Sequence, residues 1–410
     1  MRRTFLPFSP PCIGEEEINE VIDTLKSDWV TTGPKVKRFE EEFARFVHAP
    51  AALAVSSCTA ALHLALVGLG IGPGDAVLTT TLTFCSGVHV IEHVGATPIL
   101  CDVEPDTLNL DPRSIQSRIE MAERVLGRRV RAIMPVHLYG HPCDRDAILK
   151  IAGENNLAVI EDAAHSLPAS YRSHSIGSVS VKDSIPVLTC FSFYATKNMT
   201  TAEGGMLTGH PALIDRARQW SLHGMQRDAW KRYSEDSSWF YDVTCPGFKY
   251  NMTDIQAALG LQQLRKLPGF HARRCAIVER YQSAFRNCEA FEPPAERADV
   301  QHAWHLYVLR LNPDRLGITR NEFIHRMRER NIGCSVHFIP VHLHRYYRDK
   351  YGFKPKDFPV STREFERIVS LPLSARMTDE DVQDVIKAVN DVVEESRNKK
   401  VLRETDVVRA

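Results

Sequence analysis

The sequence predicts an α/β protein with a mainly parallel sheet, followed by a smaller α+β region. Short apolar runs alternate with amphipathic helical segments from about residue 53 to residue 193, the pattern of βαβ units with parallel strands. From about residue 292 that alternation gives way to two strand-like runs, 304–311 and 334–338, set among helices. The length of 410 residues exceeds what one hydrophobic core usually serves, so a large domain with a smaller companion is expected.

Hydrophobic residues at 43% and charged residues at 25% describe an ordinary globular composition. Lys plus Arg and Asp plus Glu both number 51, so the net charge is zero. A nucleic-acid or membrane-surface partner calls for a basic excess, and neither is expected. The ten cysteines are scattered without a C-x-x-C pair, and Cys101 and Cys190 fall in apolar runs. They read as buried thiols in a reducing compartment, not as a disulfide framework or zinc site. Residues 1–10 lack a signal-peptide core, and no stretch approaches the roughly 20 apolar residues of a membrane span. A cytoplasmic protein is the expectation.

Residues 15–27 and 35–47 read as amphipathic helices, the second with Val36, Phe39, Phe43 and Phe46 at helical spacing. Between them lies Trp29-Val30-Thr31-Thr32-Gly33-Pro34, where Trp29 taken alone is a core anchor. A strand, Leu53-Ala54-Val55, runs into Ser56-Ser57-Cys58-Thr59 and a helix with Leu62, Ala65, Leu66 and Leu69 on one face. Hydroxyl residues there cap the helix or, with its free N–H groups, hold an anion. Strands at 76–80, 98–102, 130–135 and 158–161 follow, separated by helical segments opening after Thr83-Phe84-Cys85 and near 111–123 and 144–155. Ligand sites of such sheets lie beyond the carboxyl ends of the strands. Phe84, Asp162 and Lys197 each fall just past such an end. Asp162 is a helix cap or a site carboxylate, and His165 is a polar-loop histidine or its partner.

Residues 188–193 form an apolar strand with Ser192 set among aromatics; the chain then passes Lys197 and the pair Gly204-Gly205 before a second short run, Met206-Leu207. A lysine just beyond a buried strand is a loop lysine or an amine desolvated in a cleft. Desolvation disfavours the ammonium and leaves a free amine able to attack a carbonyl. Residues 221–249 read as an irregular excursion. Tyr250-Asn251 opens a helix to about residue 267, with Ile255, Leu259 and Gln262 stacked and Asn251 as a cap. Pro268 marks an expected break before a second helix to about 285. Helices at 319–330 and 378–396 complete the chain. The division expected is 1–267 for a large domain, 268–396 for a linking helix and small domain, and 397–410 for a loose charged tail. No histidine spacing suggests a metal site.

Several segments together resemble the DegT/DnrJ/EryC1/StrS family of sugar aminotransferases, which use pyridoxal phosphate. Phe191-Ser192-Phe193, Lys197-Asn198 and Glu203-Gly204-Gly205 match its active-site segment in order and spacing. So do the Trp29-to-Pro34 loop, Glu161-Asp162-Ala163-Ala164-His165 and Tyr250-Asn251 with Asp254-Ile255-Gln256-Ala257-Ala258. Val336-His337-Phe338-Ile339-Pro340-Val341-His342 with Tyr346-Tyr347-Arg348 matches a further segment.

The resemblance implies a fold-type-I enzyme with a seven-stranded sheet, working as a homodimer with shared active sites. It implies that Lys197 carries the cofactor as a Schiff base and moves the proton. Asp162 would keep the ring nitrogen protonated, His165 would lie near the cofactor's 3-oxygen or stack by the ring, and Phe84 would stack on the ring. Thr59, Ala60, Ser192 and the neighbouring subunit's Asn251 would hold the phosphate. Trp29, Thr31, His337 and His342 would face the substrate. Cys58 departs from the glycine many relatives carry. The loop and aspartate motifs look most like members that aminate C4 of a nucleotide-linked 4-keto sugar, with glutamate as donor and the 3-keto isomer as the alternative. A lysine at 197, where the family's dehydratases have histidine, argues against dehydration. A non-enzymatic regulator would need an added DNA-binding domain.

Overall fold

The computed structural model describes residues 2–179, 185–225 and 241–409, with backbone alone for 397–409. Helices α1 (Glu15–Lys26) and α2 (Pro34–Val47) lead into β1 (Ala51–Val55), α3 (Cys58–Gly68), β2 (Asp75–Thr80), α4 (Ser86–His93) and β3 (Thr97–Cys101). Then come α5 (Pro112–Arg124), β4 (Arg129–Met134), α6 (Arg145–Glu154), β5 (Ala158–Asp162), the short β6 (Ser170–Tyr171) and β7 (His174–Ser175), and β8 (Val187–Ser192). After β9 (Gly205–Gly209) and α7 (Pro211–Ser221), the long α8 (Asp254–Phe285) leads to β10 (Phe291–Glu292), β11 (Val300–Gln301) and β12 (Tyr307–Leu311). The chain closes with α9 (Pro313–Leu316), α10 (Arg320–Glu329), α11 (Arg345–Tyr351), α12 (Pro359–Arg367), β13 (Ile368–Leu371) and α13 (Asp379–Arg409).

Among the described residues, seven strands form one sheet in the order β1-β9-β8-β5-β4-β2-β3. Only β9 runs against its neighbours, pairing antiparallel with β1 and β8. The other pairings are parallel, so the carboxyl ends of β1, β2, β4, β5 and β8 share one edge. Both faces are covered, which is why these strands read as continuous apolar runs. On one face Val55, Val77, Leu188 and Leu207 pack under α3 and α7. On the other, Ala54, Phe191 and Met206 meet Phe39 and Phe43 of α2 and Leu261 of α8, with the Phe43 and Phe191 rings edge-to-face at 5.1 Å.

Helix α8 is one continuous helix with Pro268 inside it, where the sequence predicted a break. Proline removes the donor for the Leu264 carbonyl, but the two halves of the helix are each anchored in a hydrophobic core, which holds it together. Leu261, Leu264 and Leu267 pack against the large sheet. Ile277, Val278, Tyr281 and Phe285 join a second core around the sheet β10-β12-β13.

Two other expectations are corrected. The run at 304–311 becomes a strand only at Tyr307, because Trp304 takes a left-handed φ of 48°. The run at 334–338 is no strand; Ser335 alone bridges to Ser370, and the strand beside β12 is β13. Where a loose tail is expected beyond 396, the backbone of α13 runs on as helix to Arg409, and residues 397–409 contain no glycine or proline. Within the excursion at 221–249, residues 226–240 lie outside the described residues, and the flanks pair through Leu222–Lys249 and Met225–Val243 bridges. No helix among the described residues is long and apolar enough to cross a membrane.

Candidate active site

Beyond β8 the chain makes a tight turn that sets Lys197 at the carboxyl edge of the sheet. The Lys197 N–H donates to the Tyr194 carbonyl at 2.9 Å, and the Phe193 carbonyl accepts both Thr200 Oγ1 and the Thr201 N–H at 3.0 Å. The next side chain, Asn198, donates Nδ2 to the Leu167 and Ala303 carbonyls at 2.9 and 2.8 Å. Part of the Lys197 side chain reaches solvent, but protein surrounds its amine. Burial draws its pKa down from 10.5 to about 8, against the pull of the nearby Asp162 carboxylate.

Asp162 closes β5 and is 6% exposed. Its Oδ1 accepts the Ala164 N–H at 3.0 Å and lies 3.9 Å from the Cys58 thiol. Burial raises its pKa, and the Ala164 N–H and the Lys197 amine oppose that rise. Strand alternation turns its neighbour Glu161 to the opposite face. Burial there would push the Glu161 carboxyl up, but Arg145 at 2.6 Å, with His137 and Thr189, holds it well below its ordinary range.

Three imidazoles surround the lysine. His165 Nδ1 accepts the Tyr139 N–H at 3.2 Å, and burial pushes its pKa well below 6.5, so the neutral ring carries its proton on Nε2. It packs against the rings of His305 (4.4 Å between centroids) and Phe338 (5.7 Å). His305 Nδ1 bonds the Asn198 Oδ1 at 3.2 Å. His337 Nδ1 bonds Ser370 Oγ at 2.8 Å, and burial draws its pKa to about 4. Phe84, at the end of β2, is 57% exposed with its ring 5.8 Å from Phe338. Ser192 lies at the end of β8, five residues before Lys197 in the chain.

At the start of α3, Ser57 Oγ accepts the Ala60 N–H at 3.0 Å. The Ala60 N–H, expected at the phosphate, has this cap as its partner here. The Cys58 and Thr59 N–H groups have no acceptor among the described residues and face outward from the helix start. Strand β9 presses on this turn: a Cβ at Gly205 would lie 2.5 Å from the Ser57 carbonyl carbon.

Of the other predicted site residues, His342 packs into the core. His342 is fully buried, with Nδ1 on Thr81 Oγ1 at 2.6 Å and Nε2 on Thr362 Oγ1 at 3.0 Å, so packing and not substrate contact occupies both nitrogens. Asn251 bridges Val55 at the carboxyl end of β1, beside the turn before α3, while its Nδ2 donates to Thr32 Oγ1 at 2.6 Å; in the loop that carries Trp29, the Thr31 carbonyl accepts the Asp254 N–H at 2.9 Å. Conversely, Tyr139 was not anticipated: it positions His165 through its N–H and His337 through its hydroxyl, which donates to the His337 carbonyl. Its place just past β4, at the same strand edge as Asp162, was the available signal.

The profile of the DegT/DnrJ/EryC1/StrS aminotransferase family matches residues 11–390. The chain is 50% identical over 394 residues to the spore coat polysaccharide biosynthesis protein SpsC of Bacillus subtilis, covering 96% of this chain and 98% of SpsC. Its fold superposes with TM-score 0.86 on Spr1654 of Streptococcus pneumoniae, solved in PMP and PLP forms, at 34% identity over 95% of this chain and 100% of that one. Against the sugar aminotransferase CalS13 of Micromonospora echinospora the TM-score is 0.81, at 26% identity over 94% and 99% of the two chains. With a desolvated amine, a buried carboxylate and open N–H donors at one sheet edge, the chain belongs to the DegT/DnrJ/EryC1/StrS family and is a pyridoxal-phosphate-dependent sugar aminotransferase.

Proposed function

We propose that this enzyme transfers an amino group from glutamate to the C4 ketone of a nucleotide-linked 4-keto sugar, of the 4-keto-6-deoxyhexose type. The observation that carries the chemistry is the gathering of Lys197, Asp162 and His165 at one strand edge, with the amine's pKa near 8. When bound, pyridoxal phosphate supplies an electron-accepting ring that stabilises charge on the adjacent carbon.

The residues present fit that group. The Asp162 carboxylate, where the Ala164 N–H and the Lys197 amine oppose the rise that burial imposes on its pKa, would balance a positive ring nitrogen. The His165 Nε2–H would be available to a ring oxygen. Thr59, the Cys58 N–H and Ser192 receive the phosphate at the positive end of α3. Phe84 offers an exposed face to stack on the ring, and Lys197 accepts and returns the proton between donor and acceptor carbons. His337, beside the amine, faces the sugar. Asn251 reaches the phosphate of a second copy, which makes a homodimer with shared sites the working unit.

The likeness to SpsC, named for polysaccharide biosynthesis, supports a sugar substrate. All ten cysteines are free, which supports a reducing cytoplasm. The test supplies glutamate with matched 3-keto and 4-keto nucleotide sugars and locates nitrogen on the product by NMR. Nitrogen on C4 is expected. Turnover of the 3-keto compound alone overturns the C4 assignment, and turnover of neither, beside activity on simple keto acids, overturns the nucleotide-sugar reading.

A further inference from the structure

His342 closes a chain of hydrogen bonds between the first sheet and α12. Thr81 follows β2 directly, three residues before Phe84, and its N–H donates to the Cys101 carbonyl at the end of β3 at 3.0 Å. Its carbonyl accepts the Val341 N–H at 2.7 Å, and its hydroxyl meets His342 Nδ1 at 2.6 Å. On the far side His342 Nε2 meets Thr362 Oγ1 at 3.0 Å, and Thr362 Oγ1 donates to the Pro355 carbonyl at 2.9 Å. Each hydroxyl has one proton to give. Thr362 gives its own to Pro355, so it accepts the proton on Nε2, which leaves Nδ1 to accept from Thr81. Burial draws the His342 pKa to about 4, and the ring stays neutral with one nitrogen in each role.

The surrounding contacts dock this stretch on the first sheet. Val341, Tyr347 and Phe358 pack with Val88 of α4 and Leu100 of β3. The Asp102 carboxylate, just past β3, accepts the Val360 and Ser361 N–H groups at 2.9 Å each and so caps α12 from outside that helix. The segment from His337 to Val341 is therefore strung along the carboxyl edge of the strands between two ties. At one end the Tyr139 hydroxyl, past β4, donates to the His337 carbonyl; at the other Thr81, past β2, holds Val341 and His342. Between the ties, the Phe338 ring lies 5.7 Å from that of His165 and 5.8 Å from that of Phe84.

We infer that His342 is a positioning residue for the keto-sugar: touching no reactant itself, it fixes the His337-to-Val341 segment as the wall against which the sugar is placed. The inference rests on the reading of His337 as sugar-facing. The printed partners of Lys197, Asp162 and His165 do not include His342, so the glutamate half-reaction does not depend on it.

The test compares His342→Leu, which breaks both bonds, with His342→Gln, whose amide accepts from Thr81 and donates to Thr362. Thr362→Val, isosteric and at the far end of the chain of bonds, serves if the leucine variant does not fold. Single turnovers followed by cofactor absorbance separate the glutamate step from the step with the 4-keto nucleotide sugar. Deuterium exchange of the 337–343 peptide is read by mass spectrometry. In His342→Leu the keto-sugar kcat/KM should fall by about tenfold or more, mainly through KM, with the glutamate rate within about twofold of wild type. Exchange of the peptide should quicken by about tenfold or more, and His342→Gln should restore most of both. Thr362→Val should move both readouts the same way by a smaller factor. Equal losses in the two half-reactions, tracking the melting temperature, make His342 a filler of the core and overturn the inference. So does either readout moving without the other. Wild-type enzyme that aminates simple keto acids but not the keto-sugar overturns the parent reading and the inference with it, so the wild-type control tells the two failures apart.

Discussion

Lys197 differs from a surface lysine in when it becomes neutral. A base with a folded pKa of about 8 against 10.5 binds fewer protons folded than unfolded between those values. Its contribution to stability therefore rises with pH across that window and is lowest below about 8. The same shift exposes the free amine near neutrality, so cofactor uptake by the stripped protein should accelerate with a midpoint near pH 8. Borohydride should then fix the cofactor on Lys197; peptide mapping that finds it on another lysine removes the assignment. For Asp162, replacing the carboxylate with Asn removes one preorganised charge, and kcat should fall by about 10²–10³ in the glutamate half-reaction. An unchanged rate would leave Asp162 as the cap of the Ala164 turn. These residues were legible because each follows a buried strand, where the sheet itself dictates position. Tyr139 was not, because its contacts depend on a left-handed φ of 61° and on partners from β5's turn and residue 337. His342 looked equivalent to His337 on either side of Pro340, and only threonines far away in sequence decide that it points into the core.

At the scale of elements, the sequence reads well where a strand is buried on both faces and poorly where it is short or irregular. The strands of the large sheet show themselves as apolar runs, whereas β13 spans four residues directly after α12 and carries no alternation to mark it. The 334–338 run has strand-like composition, yet only Ser335 finds a ladder partner. Gly205 was visible as half of a glycine pair, but its reason is the turn before α3 pressed against β9. Gly205→Ala must push that turn away, since the clash is with backbone and cannot relax through a rotamer. Cofactor affinity, followed by equilibrium dialysis, should fall at least tenfold, and the melting temperature should drop with it. An alanine variant that binds cofactor normally would separate the turn from the phosphate.

For the whole molecule, the organising object is α8, which begins beside the Trp29-to-Pro34 loop, runs beneath the Lys197 turn and ends in the second core. Its two halves belong to different packing environments, and Pro268 between them leaves one backbone carbonyl without its donor. Amides flanking Pro268, at 265–272, should exchange with deuterium faster than those at 257–263 and 277–284 when followed by mass spectrometry. Uniform protection along the helix would mean that surrounding contacts fully compensate for the proline. If the soft point is real, α8 behaves as a spine with a single flexure. The second core then tilts about that flexure while the Lys197 turn stays fixed to the sheet. Admission of a bulky nucleotide sugar, and escape of its aminated product, would be timed by bending at one peptide more than twenty residues of backbone away from any reacting atom's own strand.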